Sequence, residues 1–189
     1  MQSSKSLLLA GLLVTFIGCQ PTGQELVVSE DALTHIAAEG TVLYEDMPFT
    51  GIARETYPDG SISKLTRYVD GKKSGVHERW FRDGTLSYQA HYECNRLSGE
   101  ARSWWQNGRL RSRSTYKAGI AHGKQLAWYS TGQLFKERNL MEGREEGLQR
   151  AWRENGKLYV NYEAKNGRIF GLKRANLCYA LTNETIVFQ

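Results

Sequence analysis

The stretch Gly75-Val-His-Glu-Arg-Trp-Phe-Arg-Asp-Gly84-Thr-Leu, answered one period later by Gly99-Glu-Ala-Arg-Ser-Trp-Trp-Gln-Asn-Gly108-Arg-Leu, decides the fold. Glycine recurs at 51, 75, 99, 123, 147 and 171, always 24 residues apart. Gly60, Gly84, Gly108, Gly132 and Gly156 form a second series with the same period. A third holds Gly71, Gly119, Gly143 and Gly167, with Asn95 in the remaining slot. Asn replaces Gly best at positive φ, so the exception fits the series. Fifteen of the 19 glycines fall in these series, over five units without insertion or deletion. Such a fixed period marks a repeat array.

Each series has a mechanical reading. The second follows Asp59, Asp83, Asn107, Thr131 and Asn155. Asp-Gly and Asn-Gly predict two-residue type I′ hairpin turns, which need φ > 0 at both central residues. The third and first series bracket Gly-x-x-x-Gly connections at the opposite end, such as Gly71-Lys-Lys-Ser-Gly75 and Gly119-Ile-Ala-His-Gly123. About six residues on one side and eight on the other are strand lengths and leave no room for a three-turn helix. The expected fold is all-β: an open antiparallel meander of about ten strands, built from five 24-residue β-hairpin repeats.

These units, with Tyr92 and the opening Leu43-Tyr44 and Met47-Pro48-Phe49-Thr50-Gly51, resemble MORN-type repeats of the MORN-2 variant. That variant occurs in bacterial proteins grouped under the YwqK antitoxin family name. The resemblance covers residues 42–171 and implies a non-catalytic interaction scaffold, with an antitoxin- or immunity-like role.

A type I′ register that pairs Arg82 with Thr85 sets Phe81 opposite Leu86 and Trp80 opposite Ser87. One face then carries Tyr57, Phe81, Trp105 and Tyr129, the aliphatic column Ile62, Leu86, Leu110, Leu134 and Leu158, and Tyr68, Tyr92, Tyr116 and Leu140. It reads as the apolar core. The other face carries Trp80, Trp104, Trp128 and Trp152 among Arg54, Glu78, Arg102, Arg111, Arg113 and Arg150. These four tryptophans, with Arg102, Arg111, Arg113 and Arg150, are the candidate binding residues, because Trp and Arg are hot-spot types.

The amino terminus reads as an export signal over residues 1–18. Lys5 precedes an apolar run from Leu7 to Gly18, too short to span a bilayer. The run ends in Phe16-Ile17-Gly18-Cys19, which resembles the bacterial lipobox, with Phe16 where Leu is usual. The resemblance implies lipidation of Cys19 and a place in the cell envelope, at the outer membrane of a Gram-negative cell given Gln20. Residues 19–41 read as an acidic tether with a short helix from Ser29 (N-cap) to Gly40 (C-cap). Residues 172–189 read as a capping strand or hairpin.

From Gln20 to Ala53 there are six acidic residues and no Lys or Arg, whereas from Arg54 to the end there are 24 basic and 14 acidic residues. An acidic tether before a basic body favours anionic partners, or docking of the body on its own tether. Cys94 and Cys178 lie 84 residues apart. At about 4.8 Å per strand their separation is on the order of 34 Å, far beyond disulfide reach.

Catalytic patterns do not assemble, and neither an enzyme nor a cofactor is expected. Gly119-Ile-Ala-His-Gly123-Lys124-Gln125 is one residue short of a phosphate loop and has Gln where Ser or Thr would hold Mg²⁺. His77 and His91 are expected on opposite faces, and His91-x-x-Cys94 lacks further metal ligands. His35 and His122 read as solvated residues outside strands, and Glu145-Glu146 as a turn-tip pair. Export argues against nucleic acid as a partner. The expected function is a non-catalytic, envelope-tethered scaffold for a protein partner, such as a periplasmic or secreted toxin. The alternative is an envelope lipoprotein contacting glycan or anionic lipid through its aromatic and Arg face.

Overall fold

The structure, a computed structural model, describes residues 25–171 and the backbone of 172, 179–182 and 185–188. The export signal and Cys19 lie outside the described residues, as does Cys178.

The chain opens with β1 (Val27–Ser29), a 3-10 turn (Glu30–Ala32) and a small antiparallel sheet of β2 (Thr34–Ile36), β3 (Thr41–Tyr44) and β4 (Met47–Pro48). The array follows as β5 (Gly51–Thr56), β6 (Ile62–Val69), β7 (Lys72–Trp80), β8 (Leu86–Glu93), β9 (Arg96–Trp104) and β10 (Leu110–Lys117). It continues through β11 (Ile120–Ala121), β12 (Gly123–Trp128), β13 (Leu134–Met141), β14 (Arg144–Glu145), β15 (Gly147–Trp152), β16 (Leu158–Lys165) and β17 (Arg168–Leu172). The array strands pair antiparallel in sequence order, with the short β11 and β14 paired to β10 and β13 so that β12 follows β10 and β15 follows β13, and β1 adds to the β5 edge in parallel. A separate hairpin, β18 (Tyr179–Thr182) and β19 (Thr185–Phe188), lies in the carboxy-terminal region. The all-β meander is the fold the glycine period calls for.

The turns, however, exchange types. At the Asp-Gly end the Phe81 N–H donates to the Thr85 carbonyl (2.8 Å) and the Gly84 N–H to the Phe81 carbonyl (3.0 Å). Gly84 has φ +82°, while Asp83 is not among the positive-φ residues. This is a three-residue loop, a turn closed by a left-handed glycine bulge, and not type I′. Asp and Asn recur here because their side chains accept the N–H two residues on: Asp83 from Thr85 (2.9 Å), Asn107 from Arg109 (3.1 Å). The type I′ turns sit at the other end, where Asp70-Gly71, Cys94-Asn95, Ala118-Gly119, Glu142-Gly143 and Asn166-Gly167 all have positive φ at both residues.

The longer loop moves the register by one residue. Arg79 opposes Tyr88 and Trp80 opposes Leu86, leaving Ser87 as an extra residue on β8. Trp104 likewise opposes Leu110, Trp128 opposes Leu134 and Trp152 opposes Leu158. The aliphatic column therefore shares a face with the tryptophans, correcting the expectation that it lies on the opposite one. A one-residue bulge is enough to change sides, because side chains alternate along a strand.

The supposed apolar core changes accordingly. Ala53, Thr66, His77, Ala90 and Ala101 form one cross-strand row on the face opposite the tryptophans, and all are buried. Tyr68 is buried on that face, while Tyr92 and Tyr116 are half-buried. Tyr68, Tyr92, Tyr116 and Leu140 keep the expected face, and small and polar side chains lie where the aliphatic column was expected. A compact hydrophobic cluster caps the amino-terminal end: Val28, Leu33, Val42, Phe49, Ala53 and Tyr68.

The tether is not helical. Ser29 makes no side-chain cap, and Leu33 is already extended. Leu33 and Val42 bury themselves in the β-rich cap, and pairing of β2 with β3 overrides the local helix signal. His35 consequently lies within β2 rather than outside strands, exposed and 3.5 Å from Glu30. Carboxylates ahead of the array do dock on it: Glu25 pairs with Arg67, and Glu30 lies 3.6 Å from Lys64.

Candidate interaction surface

Four tryptophans, one in each of the last four repeats, stand where the first strand of the unit meets the glycine loop. Each is half-buried against the opposing leucine of the next strand. Successive rings are two strands apart, about 9.6 Å. The backbone beneath them is fixed by the neighbouring aromatic column. The Tyr57 hydroxyl donates to the Trp80 carbonyl (2.8 Å), Trp105 Nε1 to the Trp128 carbonyl (3.1 Å), and the Tyr129 hydroxyl to the Trp152 carbonyl (2.9 Å). Phe81 occupies the same position but has no donor.

A polar row runs beside the tryptophans on the same face. Arg54, Leu65, Glu78, Gln89, Arg102, Arg113, Leu126, Glu137 and Arg150 are successive cross-strand neighbours. Its carboxylates all have partners on this face. Glu100 holds Arg102 and Arg113, and Gln89 donates to Glu78 (2.8 Å). Buried Glu137 receives Lys124 (2.7 Å) and Arg150 (2.8 Å). The Lys124 hydrogen bond, aided by the Arg150 charge, holds the Glu137 carboxyl below the usual carboxylate range despite its burial. The Arg150 guanidinium also sits 5.3 Å from the Trp152 ring centroid, a cation–π distance.

Seven of the eight candidate residues therefore share the tryptophan face. Arg111 does not belong with them. It is the extra residue between Leu110 and Ser112 on β10 and stacks 4.7 Å over Trp105 instead of flanking the tryptophan column.

Sequence reasoning passed over a second cluster, on the opposite face. His77 is buried, with Nδ1 2.8 Å from Thr66 Oγ1 and Nε2 accepting from Arg79 Nε at 3.1 Å. These bonds place the imidazole proton on Nδ1. Burial, with Arg79, Lys73 and Lys64 nearby, pushes its pKa down to about 4. Tyr88 and Tyr92 pack edge-on to the ring at 5.9 and 5.8 Å. The available signal was a departure from the period: at the positions equivalent to His77 the other repeats have Ala53, Ala101, Gln125 and Gln149. Among the described residues no group of three or more His, Cys, Asp or Glu is placed to hold a metal ion. His91 is exposed and pairs with Val76, on the face opposite His77.

The geometry is that of a hairpin unit repeated with constant register, in which the last four units each set one Trp opposite a Leu of the same hairpin. Residues 97–118 match the MORN repeat variant. The matched segment is the β9–β10 hairpin, holding Trp104, Trp105, Gly108 and Leu110. The other hairpin units share its period and strand pairing. Among curated proteins no sequence matches the chain. MORN repeats are generally scaffolds for interaction with proteins and membranes, which fits a non-catalytic repeat protein.

Proposed function

We propose that this chain is a non-catalytic scaffold of the bacterial envelope, tethered by lipid on Cys19, that captures a protein partner on its tryptophan face. The observation that carries the reading is the row Trp80, Trp104, Trp128 and Trp152, half-exposed at a constant interval beside carboxylates that hold Arg102, Arg113 and Arg150. Large aromatic anchors amid mutually neutralised charges are the composition of a protein interface centre. The same pairing disfavours the alternative of an anionic glycan or lipid at the candidate arginines, since Arg102, Arg113 and Arg150 are each engaged by a carboxylate. The antitoxin- or immunity-like role belongs to this reading, with a periplasmic or secreted toxin as the partner. Tethering is tested by palmitate labelling of the wild type and Cys19→Ala. Label on the wild type alone supports it, and an unlabelled wild type or a labelled variant refutes it.

A further inference from the structure

The two faces of the array differ in how they handle charge. Strands β6 to β13 contain four carboxylates: Glu78, Glu93, Glu100 and Glu137. All four alternate onto the tryptophan face, as their cross-strand partners Gln89, Arg96, Thr115 and Leu126 show. The opposite face of the same strands holds Lys64, Lys73, Arg79, Lys136 and Arg138 and no carboxylate. Glu30 and Glu55 reach Lys64 from the amino-terminal edge. Among the described residues Lys73, Arg79, Lys136 and Arg138 form no ion pair with a carboxylate. Lys64 and Arg79 are direct cross-strand neighbours, like charges of which Glu30 and Glu55 neutralise Lys64 only, leaving Arg79 without a carboxylate.

Between the cations this face is hydroxylated and aromatic. Arg79 lies over the Tyr88 ring at 5.8 Å and Lys73 over the Tyr92 ring at 5.7 Å. Tyr88 is followed across the sheet by Ser103 and Ser112, whose hydroxyls are 2.6 Å apart, and then by Ala127 and Lys136. Arg79 and Lys136 stand five strands apart, roughly 24 Å. Small side chains separate two cationic ends, with tyrosine rings beside the first.

We propose that this tyrosine face binds an acidic polysaccharide, a chain of carboxylated sugars laid across the strands from Arg79 towards Lys136. The cations supply carboxylate recognition, and the tyrosine rings offer apolar surface with polar tips. The Ser and Tyr hydroxyls match those of sugars. An acidic peptide fits less well, because these strands lie mid-sheet with their backbone groups in the ladder and offer no edge for an added strand. The site is independent of the protein partner on the tryptophan face.

The test is calorimetric titration of the full chain in detergent with a galacturonate hexamer, alongside neutral maltohexaose and hexaglutamate. The acidic sugar is expected to bind and maltohexaose not to, with affinity falling as salt rises from about 50 to about 300 mM. Arg79→Ala with Lys136→Ala should weaken binding by roughly tenfold or more, the loss of two charge-assisted contacts. Arg102→Ala with Arg113→Ala, on the other face, should leave it unchanged. The proposal is overturned by absence of binding to the galacturonate hexamer, by equal affinity for hexaglutamate, or by a greater loss in the Arg102 and Arg113 variant.

Discussion

The Tyr129 hydroxyl donates to the backbone carbonyl of Trp152 at 2.9 Å, fastening the glycine loop of one repeat to the strand end of the next. Tyr57 does the same for Trp80, while Phe81, one repeat on from Tyr57, leaves its clasp open. Tyr129→Phe should cost about 1 kcal/mol, the usual net value of one hydrogen bond. Phe81→Tyr should stabilise by up to a similar amount, by giving the Trp104 carbonyl a donor. Urea denaturation of both variants checks the pair. Equal stability of all three proteins would mean the clasp is a by-product of ring packing.

The exchange of turn types predicts opposite responses to glycine. Ala118 holds φ +50°, so Ala118→Gly should relieve roughly 1 kcal/mol of left-handed strain. Asn107 is not a positive-φ residue and its side chain accepts the Arg109 N–H, so Asn107→Gly should destabilise by about 1 kcal/mol. If glycine stabilises at 107 as it does at 118, the three-residue loop is misassigned.

Most of the architecture was legible in the glycines, since positive φ is a backbone demand that few other residues meet. Turn type was not, because Asp-Gly serves two loops differing by one residue, and the side-chain acceptance by Asp83 or Asn107 looks the same in sequence. That residue then decided the faces: Trp80 remains beside Glu78, but Leu86 crosses to join it and Arg111 leaves for Trp105. The cluster around His77 escaped notice for a different reason. It is built from positions where one repeat departs from the others, and a reading based on periodicity averages such departures away. The helix expected after Ser29 failed because burial of Leu33 against Val42 outweighs local caps.

His77 makes the array acid-sensitive. Its folded pKa of about 4 lies below the ordinary value of 6.5. The unfolded chain therefore binds a proton first as pH falls, and stability declines between about pH 6.5 and 4 by up to about 1.4 kcal/mol per pH unit. His77→Gln, which copies the residue at 125 and 149, should flatten that slope in melts across the range. An unchanged slope would assign the sensitivity elsewhere.

Glu137 acts in the same direction at lower pH. Its carboxyl is held below 4.5 by Lys124 and Arg150, so its contribution is complete above that value and is lost as pH falls through its folded pKa. Glu137→Gln should cost about 1–2 kcal/mol at pH 7, a value reduced from the fully buried case because Lys124 is half exposed. Denaturation at pH 7 with Lys124→Met as the cycle partner measures it, and additive single effects would show that the pair is uncoupled.

The most direct test of the account is partner capture by Trp104→Ala with Trp128→Ala, run beside Leu110→Ala with Leu134→Ala as the packing control. Each pair removes one side of the same Trp–Leu cross-strand contacts. Both double variants should stay folded and lose similar stability, about 2–4 kcal/mol, because these side chains are half-buried. In crosslinking pull-downs from intact cells, the account predicts that the tryptophan variant loses the partner and the leucine variant keeps it. Capture that survives in the tryptophan variant, or fails equally in both, would contradict it.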